Sequence, residues 1–255
     1  MTDDSRQTLT DGTGRPVLTF VRTIRDDLPA ADLVQLAPGV SSEEAASVAK
    51  TSFPGWAFSA PPELGRLLLD RGATRIRHAH VMARDLVADR PDPAWGHLVP
   101  EDPSLSVGPA SLVSLDYLEA AEAAYPPEHP DWEPRPSPAD RLAHDITPLL
   151  DGTLGPLLAA SGVVRCPDGS VVAACLVTDR PQEGPWVVDV FRRPGADYAG
   201  LGSLLLRRAL ALLAQDGWPA LGLAVTEGNP ARSTYERLGF QHVLESLTVK
   251  LPDPR

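Results

Sequence analysis

The residues of this 255-residue chain best suited to chemistry lie in its last third. Residues 186–191, Trp186-Val187-Val188-Asp189-Val190-Phe191, form an apolar run with one carboxylate and read as a strand. Asp197-Tyr198-Ala199-Gly200-Leu201-Gly202-Ser203 follows and opens an apolar helical segment, 201–215. A strand, a glycine turn and a helix N-terminus in that order gather free backbone N–H groups around one point, where they can hold an anion such as a phosphate. Taken alone, a Gly-x-Gly turn is more often just a tight connection.

A second segment changes the balance. After a strand at 220–226 come Glu227, a loop, Asn229-Pro230-Ala231-Arg232-Ser233-Thr234-Tyr235 as a short helix, and Leu238-Gly239-Phe240. Gly239 supplies a residue free for positive φ before a last strand at 241–250. Tyr235 carries a phenol whose ordinary pKa, about 10, keeps it protonated at neutral pH and able to donate toward a forming anion.

In these two segments the chain resembles the GNAT superfamily, the Gcn5-related N-acetyltransferases. The glycine turn matches that family's motif A, Arg/Gln-x-x-Gly-x-Gly/Ala, and 229–240 match its motif B, Asn-x-Ala-x-x-x-Tyr-x-x-x-Gly-Phe. The resemblance covers about 105–255 and is strongest over 185–240. It implies an α/β fold with a mixed, mostly antiparallel central sheet flanked by helices. It also implies transfer of an acetyl group from acetyl-CoA to an amine by direct attack in a ternary complex. By that resemblance Phe191, Arg192, Arg193, Asp197, Tyr198, Ala199, Gly200, Leu201, Gly202, Ser203, Asn229 and Arg232 bind the coenzyme, with its pyrophosphate on the turn amides. A backbone N–H of 190–193 holds the oxyanion, and Tyr235 protonates the departing thiolate.

One residue departs from the pattern. Asp197 stands where motif A has Arg or Gln, and a carboxylate beside a pyrophosphate repels it unless it points to solvent or pairs with a cation. Arg192, Arg193, Arg207, Arg208 and Arg232 either offset that charge or form a solvated basic face. This departure keeps a second reading open, a catalytically silent acyl-CoA-binding regulatory module.

For the general base, Asp189 and Glu227 are the candidates, with proton loss to water as the default. Asp189 sits in an apolar strand and needs partners, so an ion pair with Arg192 or Arg193 explains it as well as catalysis does. On the acceptor side the resemblance points to Tyr125, Glu128, His129, Asp131 and Trp132; the alternative is a proline-stiffened surface loop. His78 and His80 share one face of a strand and would bind a metal only if a third ligand arrived, so no metal is expected. Cys166 and Cys175 lie in a hairpin spanning 163–178 and read as packing residues.

The formal net charge of −11 and a pI near 4.9 weigh against nucleic acid and favour a cationic acceptor such as an amine. The polar first residues show no signal-peptide pattern, and the apolar runs are interrupted. The expectation is a cytoplasmic protein without membrane contact, monomer or homodimer.

The expected organisation is a disordered lead at 1–14, an α/β unit at 15–88, a proline-rich linker at 89–109 and an acetyltransferase domain at 110–255. In the first unit Ser41 caps a helix with Glu43 and Glu44 in its first turn, and an apolar helix at 64–69 leads through Gly72 into a strand at 74–82. That helix–glycine–strand order echoes 235–249. Either the first unit is a degenerate GNAT-like repeat without coenzyme, or the echo is coincidence. Helices are also expected at 111–125, where Leu112, Leu115 and Leu118 recur, and at 139–150.

Overall fold

The computed structural model describes residues 6–25, 28–110, 115–132, 137–141, 143, 146–181 and 183–253. In chain order its elements are β1 (Arg6–Thr10), β2 (Pro16–Arg25), β3 (Leu28–Leu36), α1 (Ser42–Ser52), β4 (Ala57–Ala60), α2 (Pro62–Asp70), β5 (Thr74–Asp85), a 3-10 turn (Pro93–His97), β6 (Ser106–Pro109), α3 (Leu115–Ala124), α4 (Pro138–Arg141), α5 (Thr147–Leu150), β7 (Gly162–Arg165), β8 (Val171–Arg180), β9 (Gly184–Arg192), α6 (Leu201–Gln215), β10 (Ala220–Thr226), α7 (Ala231–Arg237) and β11 (Gln241–Lys250). They form two compact units, one of Met1–Val81 with Leu244–Arg255 and one of Met82–Val243. The start of the 111–125 helix, parts of 139–150 including His144, and residues 1–5 lie outside the described residues.

In the first unit β1, β2 and β3 pair antiparallel, β3 and β4 pair parallel at Ala30↔Ala57 and Ala31↔Phe58, and β11 closes on β4 antiparallel. Val17, Leu18, Phe20, Phe53, Phe58, Leu64, Leu68, Leu247 and Val249 fill its core. Ser41 Oγ accepts from Glu44 N–H at 3.2 Å, the expected cap. Two expectations need correction. Residues 6–10, assigned to a disordered lead, form β1, because an edge strand needs main-chain partners more than apolar side chains and only Leu9 of its five residues is a large hydrophobe. The last strand, read as part of 110–255, contributes its residues from Leu244 onward to the first unit.

In the second unit the sheet order is β5-β10-β9-β8-β7-β6. The hairpin β8–β9 is antiparallel, as are β7–β8 and β6–β7. The 89–109 segment is therefore more than a linker, since its last residues pair with β7, and Trp95 of its 3-10 turn packs against the core. On one face the expected apolar helix, α6, buries Leu201, Leu205, Leu206, Ala209, Leu210 and Leu213, with Arg207 outward. Each such leucine contributes roughly 1.5–3 kcal/mol. On the other face Tyr117, Ala120, Ile146 and Leu149 pack on Val163, Val171, Ala174, Leu176 and Phe191.

Strand β9 is bulged. Leu176 faces Asp189 and Val177 faces Val187, so Val188 is an extra residue. Strict alternation would send residues 187, 189 and 191 to one side. Instead Val187 and Val190 pack on the α6 face, and Val188 and Phe191 on the α3 face. A corresponding slip occurs in the first unit, where Thr19 faces Gln35 and Val21 faces Asp32, and Leu33 sits there at φ +51°.

The echo seen in the sequence extends to the main chain. After α2, Gly72 N–H donates to Leu69 O and Ala73 N–H to Leu68 O; after α7, Gly239 N–H donates to Glu236 O and Phe240 N–H to Tyr235 O. The chain segments β2–β5 and β8–β11 each follow the order strand, bulged strand, helix, strand, helix, strand.

Strands β9 and β10 approach closely where Trp186 pairs with Gly222. A Cβ on Gly222 would lie 2.6 Å from the Trp186 ring, which Arg180 covers at 4.8 Å. Gly222→Ala is therefore expected to cost about 2 kcal/mol through overpacking. Thermal denaturation should show a midpoint lower by roughly 4–8 °C; an unchanged midpoint would show that the ring moves aside freely.

Candidate active site

The glycine turn forms as its sequence requires. Gly200 caps α6 at φ +81°, a left-handed conformation that costs an L-residue about 1–2 kcal/mol. The cap has no side-chain hydrogen bond and the first turn of α6 has no acidic residue, so no side chain of that turn neutralises the positive end of the helix. Leu201 N–H turns back to Tyr198 O at 3.3 Å and Ala199 N–H to Ala196 O at 3.0 Å, which fixes the loop. Asp197 is exposed, as an anion site requires if the residue there is a carboxylate.

The strands beside this turn diverge. β9 and β10 pair parallel at Gly222↔Trp186 and Leu223↔Val187, and no later pair joins them, although β9 runs on to Arg192 and β10 to Thr226. Among the described residues no strand pairs with that edge of β9 beyond Val187, and Val190 O accepts from Tyr125 Oη at 3.4 Å. Arg192 is exposed, with its guanidinium on Arg193 O and Gly195 O at 2.9 and 3.1 Å, and Arg193 Nε donates to Val171 O at 3.0 Å. Both arginines thus brace the start of the turn.

Tyr235 comes from α7, a helix opened by Asn229, whose Oδ1 accepts from Ala231 N–H at 2.8 Å. Its ring meets Phe240 edge-on at 6.1 Å, and the side chain is 8% exposed. Burial raises its pKa well above the ordinary value, and Cys175 and the carboxylates Asp131 and Asp189 push the same way. The phenol is a donor throughout the physiological range. Cys175, fully buried beside Asp189, is pushed up to about 12 by burial first and that charge second, so it remains a thiol and a packing residue.

The segment 125–132 reaches the same place. Asp131 receives hydrogen bonds from Thr226 Oγ1, at the end of β10, and from Asn229 Nδ2 at 2.5 Å. Tyr125 donates to Asp189 Oδ1 at 2.6 Å and Tyr117 donates to Asp189 Oδ2 at 2.8 Å. The β9 bulge makes this possible by turning Asp189 toward α3. Burial, then the charge of Asp189, raises the Tyr125 phenol well above its ordinary pKa. His129 meets Tyr125 edge-on at 5.0 Å and its Nδ1 accepts from Asp131 N–H at 3.1 Å.

Of the residues singled out in the sequence, Tyr235, Asp189, Asn229, Tyr125, His129 and Asp131 are thus joined by direct contact or by shared charge. Glu128 and Trp132 are exposed. Glu227 is half exposed and sits 3.8 Å from Arg232, which also pairs with Glu236 at 3.1 Å. Asp189 is held by phenols, whereas the guanidinium groups of Arg192 and Arg193 bind carbonyls. Sequence reasoning missed Tyr117 and Thr226. The available signal for Tyr117 was its position eight residues before Tyr125 in the expected 111–125 helix, together with a later apolar strand holding a single carboxylate.

The acetyltransferase (GNAT) family profile matches residues 117–240. A search of curated proteins gives no significant match. Among solved structures, the chain is similar to a GCN5-related N-acetyltransferase from Sphaerobacter thermophilus, with TM-score 0.61, 16% identity, and 98% of this chain and 82% of that one covered. A tandem GNAT protein from the clavulanic acid biosynthesis pathway gives TM-score 0.57 at 15% identity over 97% and 83% of the two chains. A GNAT-family acetyltransferase from Colwellia psychrerythraea gives 0.55 at 12% identity over 96% and 84%. With the glycine turn, the diverging strands and the α7 tyrosine in place on it, the second unit carries a GNAT acetyltransferase-family domain over residues 117–240, and the solved structures share its fold.

Proposed function

We propose that the second unit transfers an acetyl group from acetyl-CoA to an amine by direct attack, with donor and acceptor bound together. The observation that carries this reading is the parting of β9 and β10 beside a helix N-terminus with no side-chain cap and no acidic residue in its first turn. The turn amides of α6 would hold the pyrophosphate, and the edge of 188–192 beyond the last β10 pair would bond the pantetheine arm and the thioester oxygen. Holding both reactants in line accounts for most of the rate, since positioning can remove roughly 7–11 kcal/mol of barrier.

Acetyl-CoA supplies the activated acetyl thioester. Tyr235 donates its hydroxyl proton toward the departing sulfur and recovers a proton from the acceptor nitrogen by way of water. Asp131 and Asp189, each held by two donors, act as fixed negative charge that draws and orients an ammonium group. Glu227, exposed and beside Arg232, stands in the base role no better than water does.

The silent-module reading is not favoured, because Asp197 is exposed and its charge is spent in solvent. In the first unit, by contrast, the start of α1 is capped by Ser41 and carries Glu43 and Glu44, ion-paired to Arg71 and Arg15. Such a terminus repels phosphate. Calorimetry on the full chain should therefore give one equivalent of acetyl-CoA, with thiol release in the presence of a cationic amine. Absence of binding at millimolar coenzyme sinks the proposal; two equivalents would assign a site to the first unit as well.

A further inference from the structure

Among the described residues, one cluster of metal-ligating side chains lies apart from the proposed acyl-transfer residues. His78 and His80 occupy alternate positions of β5 and therefore one face, and Glu245 reaches them from the neighbouring strand β11. All three belong to the first unit. One ligand atom from each lies within 4.8 Å of the other two. His78 Nε2 and Glu245 Oε1 are 2.5 Å apart, and the imidazole rings of His78 and His80 lie 5.5 Å apart, centroid to centroid. His80 is 5% exposed, and His78 and Glu245 are only partly exposed.

We propose that His78, His80 and Glu245 form a binding site for a divalent transition-metal ion, zinc in the first instance. In a strand, residues two apart stand roughly 6.5–7 Å from each other and the adjacent strand lies about 4.8 Å away, so two imidazoles and one carboxylate converge without any change of backbone. Ligands of one zinc ion sit about 2.0–2.2 Å from it. The triad needs only small side-chain rotations to reach that spacing, widening the His78–Glu245 contact and drawing His80 in. The hydrogen bond between His78 and Glu245 spans the place the cation would take. Two nitrogens and one oxygen favour zinc and its neighbours over magnesium or calcium, which take oxygen ligands. Three protein ligands leave a fourth position for water or a small anion. The ion would tie β5 to β11 and stabilise the first unit by mass action.

The test titrates the full-length, chelator-treated protein with zinc alone by calorimetry and with cobalt(II) alone by visible absorption. One equivalent is expected, with intense tetrahedral cobalt bands and a raised melting temperature. Glu245→Gln keeps the shape of the side chain and should weaken binding about a hundredfold or more, since even residues that only support a ligand cost ten- to a hundredfold. His80→Asn provides the same reading if that variant folds poorly. Failure to bind zinc at millimolar concentration overturns the proposal and leaves a plain His–Glu ion pair. So does an equivalent that survives both substitutions, which would place the ion elsewhere. Neither readout depends on acetyl transfer.

Discussion

Tyr235→Phe is expected to lower kcat about 10²- to 10⁴-fold while leaving acetyl-CoA affinity unchanged. The substitution removes one oxygen and preserves the ring that packs on Phe240, and the side chain is already buried, so the fold has little to lose. What it removes is the hydroxyl that, in the proposed mechanism, donates to the leaving sulfur. Burial, Cys175 and the nearby carboxylates hold the phenol protonated well above its ordinary range, so no alkaline loss of rate from this group is expected below about pH 10. The sign follows from the raised pKa: deprotonation, which would abolish the donor, is postponed to higher pH. Steady-state thiol release across pH, with calorimetry of acetyl-CoA on both proteins, checks it. Equal turnover in the variant would falsify the general-acid role and leave Tyr235 as a packing residue.

Gly202→Asp should separate the coenzyme site from the fold. A Cβ at Gly202 meets Phe191 O and Val190 Cγ2 only at 3.9 Å, an ordinary contact. Replacing a helical glycine recovers about 0.5–1 kcal/mol of chain entropy, and a carboxylate in the first turn gains a further 0.3–1 kcal/mol or so from the helix dipole. The melting temperature should hold or rise. Acetyl-CoA affinity should nevertheless fall about a hundredfold or more, because two unit charges near 4 Å apart repel by roughly 4 kcal/mol at a surface dielectric. Retained affinity would mean that the pyrophosphate does not lie on these amides, and the proposed coenzyme placement would be wrong.

Much of the second unit was legible in advance, because local rules govern it. The α6 segment has helical spacing, the Asn229-to-Phe240 stretch combines an opening side chain with a closing glycine, and β9 and β10 are short apolar runs between turns. The predicted 201–215 helix and the 220–226 and 241–250 strands coincide with α6, β10 and β11. β1 and β6 escaped notice because edge strands are held by main-chain bonds that leave little mark on side-chain type. β3 escaped because its bulge at Leu33 breaks the two-residue alternation that announces a strand.

The site divides in the same way. By itself the sequence determined the glycine turn ahead of an apolar helix, the tyrosine of the Asn229-to-Phe240 stretch and the net negative charge, since each depends on residue type at short spacing. Only the tertiary structure decided which side chains the carboxylates meet. Asp131 meets Thr226 and Asn229 across nearly a hundred residues, Asp189 meets Tyr117 and Tyr125 because a single inserted residue turns it over, and Glu245 arrives beside His78 from 167 residues away. Backbone conformation is set by neighbours along the chain, and so can be read from it. Pairing between distant side chains is set by strand register, in which a shift of one residue reverses every face, and no local pattern fixes that register.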